Sequence, residues 1–395
     1  MPKQPESHPP ALLTRTRQLR RAMDACSRTR VIGVDTESNS FWAYRERVCV
    51  IQLFTGKQYF LIDPLALEDL SLLGTVFHDP GIVKVFHGAD YDLRCLWRDF
   101  RLRPAPIFDT MVAASLLDYP ALGLGALVER HFGVHLPKTN ALTRYDWARR
   151  PLPDAHMDYL VNDVRYLVRL WEILLEELRA KDLVEEAEWE LRQLEQATTR
   201  QLNSSGTEGF FSIKGSKHLE PLSRTVLKRL YEFREACAQQ SDQPRFKVLS
   251  NRILLEVAKA LPRSRRRLRS VPGLTPGLLQ RYGEELLDAV RRGQEDFRES
   301  GAPVLPEKKA VRGPQLDRDF EIRLKQWRAG EAQRRGVSPQ AVLPTACLKD
   351  IARAKFVDSL TLSQIPGMIP KRRECYGKII LDLYAQGTSE QAGTK

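Results

Sequence analysis

The sequence predicts an α/β domain built on a mixed sheet, followed by two small all-α domains. Three observations lead there. β-branched runs alternate with helical patterns over about residues 25–200. The strand signal then disappears after Asn203-Ser204-Ser205-Gly206. Beyond it, residues 219–292 and 319–386 share landmarks in the same order, which is the mark of a duplicated helical module.

The elements of the first domain follow from local chemistry. Residues 11–28 read as a helix. Arg30–Asp35, Arg47–Phe54 and Gln58–Ile62 read as strands, and Thr55-Gly56-Lys57 between the last two suits a hairpin. A helix is expected over Leu67–Phe77, ended by the turn signal Asp79-Pro80-Gly81. Ile82–His87 and Ile107–Asp109 are further strands, leading into helices Tyr91–Phe100 and Thr110–Asp118. From Asp154 to about Gln201 the Leu, Glu and Arg pattern predicts continuous helix. In the helical half, VLSNRILLEVAKAL, SVPGL and RYGEELLDAV are echoed by VLPTACLKDIARAK, SQIPGM and CYGKIILDLY. The expected units are residues 1–205, 206–300, a connector at 301–318 and a second helical unit at 319–388.

Charge divides as sharply as the strand signal does. Residues 1–200 hold 26 Lys+Arg against 28 Asp+Glu, whereas residues 201–395 hold 36 against 22. A basic half of this kind suggests a polyanion partner. No apolar run approaches the ~20 residues that span a bilayer, and MPKQPESHPP has no apolar signal core behind it. A cytoplasmic protein is therefore expected. The six cysteines lie far apart with no CxxC pair, so any metal should be held by oxygen ligands.

Four acidic positions stand out by context. Asp35 and Glu37 end the first strand, two residues apart and so on one face. Asp92 lies in VFHGADYDLRCL, where a strand gives way to a helix, with Asp90 as a second acid or as a cap. Asp163 lies on a helix one turn after Tyr159. Carboxylates from separate segments suit Mg2+ or Mn2+. Two such ions ~3.5–4 Å apart could hold both oxygens of a phosphodiester displacement. Taken singly, each of these features reads more simply as a solvated rim or a helix cap.

Taken together, DTESNSFWAYRERVCVIQLF, VFHGADYDLRCLW, FDTMVAASLLDY, YDWARRPLP and DYLVNDVRYL resemble the tyrosine-type DEDD 3′–5′ exonucleases, and specifically the ribonuclease D family, over about residues 28–180. QPRFKVLSNRILLEVAKALP with VPGL and RYGEELL resembles the HRDC nucleic-acid-binding domain, of which that family carries two. The resemblance implies a ribonuclease H-like sheet and two-metal hydrolysis. Asp35, Glu37, Asp92 and Asp163 would hold two divalent cations, Mg2+ or Mn2+, and Tyr159 would orient the attacking water. It further implies an exoribonuclease that trims structured RNA such as tRNA precursors and releases nucleoside 5′-monophosphates. A 3′–5′ DNA exonuclease acting in repair, or a non-catalytic RNA-binding protein with a vestigial site, would share these features.

Around the acids, Phe41, Trp42 and Tyr44 could stack the terminal bases or pack a loop on the sheet. His87 could touch substrate or be satisfied within its turn. Lys138, Arg149 and Arg150 could meet phosphate. Gln52 reads as a buried amide tying backbone segments, and Asp109 as a helix cap. Among the helices, Arg263, Arg265, Arg266, Arg267 and Arg269 form the densest basic run. Lys371, Arg372 and Arg373, after the second Pro-Gly turn, read as the equivalent place in the second copy, and on that recurrence both runs are expected to contact nucleic acid.

Overall fold

The computed structural model describes residues 11–137, 140–200, 209–305, 316–354 and 356–392. Lys138, the Asn203–Gly206 segment and most of Gly301–Pro314 lie outside the described residues. The strands are β1 (Leu12–Leu13), β2 (Val31–Ser38), β3 (Val48–Phe54), β4 (Tyr59–Ile62), β5 (Val83–Phe86) and β6 (Ile107–Asp109). They form one sheet in the order β1-β4-β3-β2-β5-β6. β2 pairs antiparallel with β3 and parallel with β5, so the sheet is mixed. β1 was not legible as a strand, since two residues cannot display a period.

The helices of this unit are α1 (Thr16–Cys26), α2 (Gly74–Phe77), α3 (Asp90–Phe100), α4 (Thr110–Leu116), α5 (Leu124–Phe132), α6 (Asn140–Thr143), α7 (Asp154–Arg165), α8 (Leu167–Ala180) and α9 (Val184–Arg200). The expected helix over Leu67–Phe77 is a single 3-10 turn, Ser71–Leu73, running into the four residues of α2. The long C-terminal helix is three helices instead. It breaks at Tyr166, and again at Asp182 with φ +52°. These breaks turn the chain back over the sheet. Gly33 allows the closest approach there: a Cβ on it would lie 3.1 Å from Val164 O and from Leu167 Cβ. α7 and α8 therefore rest directly on β2, which places Asp163 against the strand that carries Asp35 and Glu37.

Two helical modules follow with matching element order. The first is α10 (Pro221–Gln240), α11 (Arg245–Val248), α12 (Asn251–Ala260), α13 (Arg265–Leu268) and α14 (Pro276–Ser300). The second is α15 (Arg318–Arg335), α16 (Pro339–Val342), α17 (Thr345–Arg353), α18 (Ser359–Gln364) and α19 (Pro370–Ala392). Both last helices start on a proline, whose missing N–H and fixed φ suit a first helical position. Both are preceded by a Pro-Gly turn whose glycine is left-handed, Gly273 at φ +87° and Gly367 at φ +92°. One tie recurs as well: Arg234 donates to Leu249 O and Asn251 Oδ1, and Arg328 to Leu343 O and Thr345 Oγ1.

The cores do not divide as the modules do. The first module packs its own core, including Phe210, Leu227, Leu254, Leu268 and Leu286. The second module shares one continuous core with the α/β unit, running from Leu19 and Ile32 through Leu178 to Phe320, Leu348 and Ile380.

Candidate active site

Asp35 and Glu37 share the face of β2 that α7 covers, and Asp163 reaches the same point from α7. One carboxylate oxygen from each lies within 4.8 Å of the other two. A register shift lies between Glu37 and Ser38, next to the last residue of the strand, and Asn39 continues the pairing with Arg47. Burial, then the charges of Asp92, Asp163 and Glu37, hold the Asp35 carboxyl well above the usual carboxylate range. Burial and the charges of Asp163 and Asp92 do the same to Glu37.

Asp92 stands beside this trio, on the first turn of α3. It accepts a hydrogen bond from Thr36 Oγ1, and burial pushes its pKa up to about 7. Thr36 was not legible as a site residue, because its role depends on β2 meeting α3. Asp90 points away, exposed and paired with Arg94 at 2.7 Å, which separates the two acids of that turn. Asp109 caps α4 through Met111 N and also accepts from Gly88 N and Ala89 N, so it pins the turn that presents Asp92.

Tyr159 lies one turn before Asp163, to which its hydroxyl is hydrogen-bonded, and its ring stacks on buried Trp147 at 5.9 Å. Burial first, then the charges of Asp163, Glu37 and Asp35, raise its pKa further above the ordinary phenol value. It stays protonated at neutral pH. The site thus offers an all-oxygen donor set whose mutual repulsion a divalent cation would relieve, and the residues present fit such an ion.

The chain matches the 3′–5′ exonuclease family over residues 10–179 and the HRDC domain family over residues 223–290 and 321–384. It is 31% identical to ribonuclease D of Sphingobium indicum over 275 residues, 68% of each chain. It is 28% identical to that of Pseudomonas paraeruginosa over 333 residues, 82% of this chain and 84% of that one. The chain belongs to the ribonuclease D family. It is a 3′–5′ exoribonuclease. Its fold is that of Escherichia coli RNase D, with a TM-score of 0.68 at 24% identity over 95% of this chain and 98% of that one.

Elsewhere the ribonuclease D framework reassigns several residues. Tyr44 is part of an interdomain contact: its hydroxyl donates to Glu235, its N–H donates to Asp242 Oδ1, and Arg245 lies 4.8 Å over its ring. It is committed to the first HRDC module and not to terminal bases. His87 Nδ1 lies 2.9 Å from Thr110 Oγ1, a histidine satisfied by the start of α4. Arg150 is taken up by Asp63 and by the carbonyls of Trp147 and Cys49, so it braces the loop. Gln52 sits opposite Asp35 across the β2–β3 pair and is fully buried, but its amide ties no backbone segment: neither side-chain polar atom has a hydrogen-bond partner among the described residues.

The two basic runs differ more. Arg263, Arg265, Arg266, Arg267 and Arg269 are exposed, and of these only Arg265 is ion-paired among the described residues, with Glu284. Arg372 is fully buried and donates to Gly367 O and Ala341 O. Lys371 is paired with Asp182 and Glu186 of the exonuclease unit. Both are structural, because this face of the second module lies against α9. Arg373 is half-buried beside them.

Proposed function

We propose that this enzyme trims the 3′ ends of structured RNA, tRNA precursors among them, and releases nucleoside 5′-monophosphates. The reading rests first on the meeting of Asp35, Glu37 and Asp163 at the end of β2. The Escherichia coli RNase D that shares this fold is an exoribonuclease involved in structured RNA processing, which supports the substrate class. We read residues 1–205 as the exonuclease unit, 206–300 as the HRDC module that meets RNA, 301–318 as a connector and 319–388 as a second, bracing module. A cytoplasmic setting accords with six free cysteines.

Asp35, Glu37 and Asp163, with Asp92 beside them, would hold two divalent cations, Mg2+ or Mn2+. Bound there, such ions supply Lewis-acid polarisation of the terminal phosphate and a lowered pKa for water. The protein's own share is positional. The carboxylates, pushed up by burial and by one another, ionise fully as cationic charge arrives. Tyr159, kept protonated, offers an O–H and a lone pair to orient the attacking water and removes no proton from it. Thr36 fixes the rotamer of Asp92, and Trp147 fixes the ring of Tyr159.

Asp35→Asn keeps the shape and removes one charge. Release of mononucleotides from a 3′-extended tRNA should fall by about three orders of magnitude or more. Trimming at the wild-type rate by Asp35→Asn would refute the reading. A DNA strand of the same sequence, run alongside, separates RNA from DNA as the substrate.

A further inference from the structure

Beside the acid trio, the loop that leaves β2 carries two aromatic residues that remain near half exposed in spite of a neighbouring domain. Phe41 is 42% exposed and Trp42 40%. Phe246 of α11, in the first HRDC module, meets Phe41 edge-on with centroids 5.9 Å apart and is itself 54% exposed. Lys247 Nζ lies 3.7 Å from the centre of the Trp42 ring, and the Arg149 guanidinium lies 5.8 Å from it. The indole is held in place by its N–H, which donates to Arg144 O at 2.9 Å. Trp147 nearby is buried, whereas these three rings keep about half of their surface in solvent.

We infer that Phe41, Trp42, Phe246 and Lys247 form one platform, shared between the two domains, for the single-stranded segment just upstream of the RNA 3′ end. This rests on the proposed RNA-trimming function and adds the strand that feeds the site. Phe41 and Phe246 leave ring surface on which bases of any sequence can stack, while Lys247, seated over the Trp42 ring, and Arg149 near it supply cations for the phosphates between those bases. The charge is complementary to the occupant, and the position is right. Phe41 follows Glu37 by four residues, so at most about 14 Å of chain separates them. Trp42 is tied to Arg144, three residues before the Trp147 on which Tyr159 stacks. Tyr44, bonded to Glu235 and Asp242, keeps the loop against the module so that the two halves of the platform act together.

The test uses the full chain and two hairpin RNAs, with 3′ overhangs of about two and about eight nucleotides. The readout is the ratio of kcat/KM for the long overhang to that for the short one. Phe246→Ala should lower this ratio about tenfold through KM, the worth of one base stacked on an aromatic ring. Phe246→Trp should restore it, and Phe246→Leu, which keeps apolar packing on Phe41, should not. Lys247→Ala should lower the ratio and also reduce the salt slope of long-overhang binding by about 0.7. A ratio unchanged in both alanine variants, or restored by leucine, would assign the patch to domain packing and overturn the proposal. Mononucleotide release from the short overhang by the wild-type chain reports separately on the function itself.

Discussion

The two HRDC copies have the same five helices, the same Pro-Gly turn and the same arginine tie, yet they use their basic runs in opposite ways. In the first copy the run occupies α13, before the turn, and faces solvent. In the second the run opens α19, after the turn, at the position where the first copy has Gly277-Leu278-Leu279. Arg372 thus stands where Leu278 stands, and it is buried as an apolar residue would be. The place of the first run is filled in α18 by Ser359-Leu360-Thr361-Leu362, which carries no charge. A run of like charge therefore says little until its neighbours are known. One copy leaves its run exposed to solvent, and the other has committed it to α9.

The largest expected effect is on the buried arginine. Arg372→Ala removes the donor to Gly367 O and Ala341 O, deep in the shared core, and should cost about 3 kcal/mol in urea unfolding. RNA affinity of the folded protein should not change. An effect on RNA affinity with no loss of stability would reverse the roles of the two copies.

A difference in cooperativity follows from the cores. Because the second copy shares its core with the α/β unit and the first does not, calorimetry should resolve two transitions. Between about pH 4 and 7 only one of them should respond to pH. Asp92 has a folded pKa of about 7 against an ordinary 3.8, and Asp35 and Glu37 are raised too. The folded state thus holds protons that the unfolded chain releases. That stability is complete below pH ~4 and lost as pH rises through ~7, by about 2–4 kcal/mol in metal-free protein. The transition containing the second copy should move with pH, and that of the first copy should stay.

Lys371→Ala leaves Glu186, 1% exposed, without its cation and should destabilise by about 1–2 kcal/mol. The corresponding change in the first copy is quieter in stability. Arg266, Arg267 and Arg269 replaced together by alanine should leave stability within about 0.5 kcal/mol. They should instead lower the salt slope of RNA binding by about 0.7–0.9 for each phosphate these arginines neutralise.

Much of this molecule was readable in its residues. β2, β3 and β5 announce themselves by β-branched runs. The trio was legible through the joint motif resemblance, since Asp35 lies within β2 and Asp163 within α7, and each acid taken singly reads as a rim or a cap. What was hidden depends on tertiary approach. Nothing in Thr36 says that α3 will reach it, and nothing in Arg372 says that α9 will cover it. Tyr44 and Phe246 are 202 residues apart in separate domains, so their shared interface has no local signature. The break at Tyr166 was hidden too, since the apolar stripe continues across it and only the fold shows the turn.

The central claim is that the carboxylates at the end of β2 are a divalent-cation site, and metal titration tests it most directly. Full-length wild-type protein titrated with Mn2+ at neutral pH should bind about two ions. Asp163→Asn should lose that binding, while Arg372→Ala, where folded, keeps it. Equal Mn2+ binding by wild type and Asp163→Asn would contradict the account.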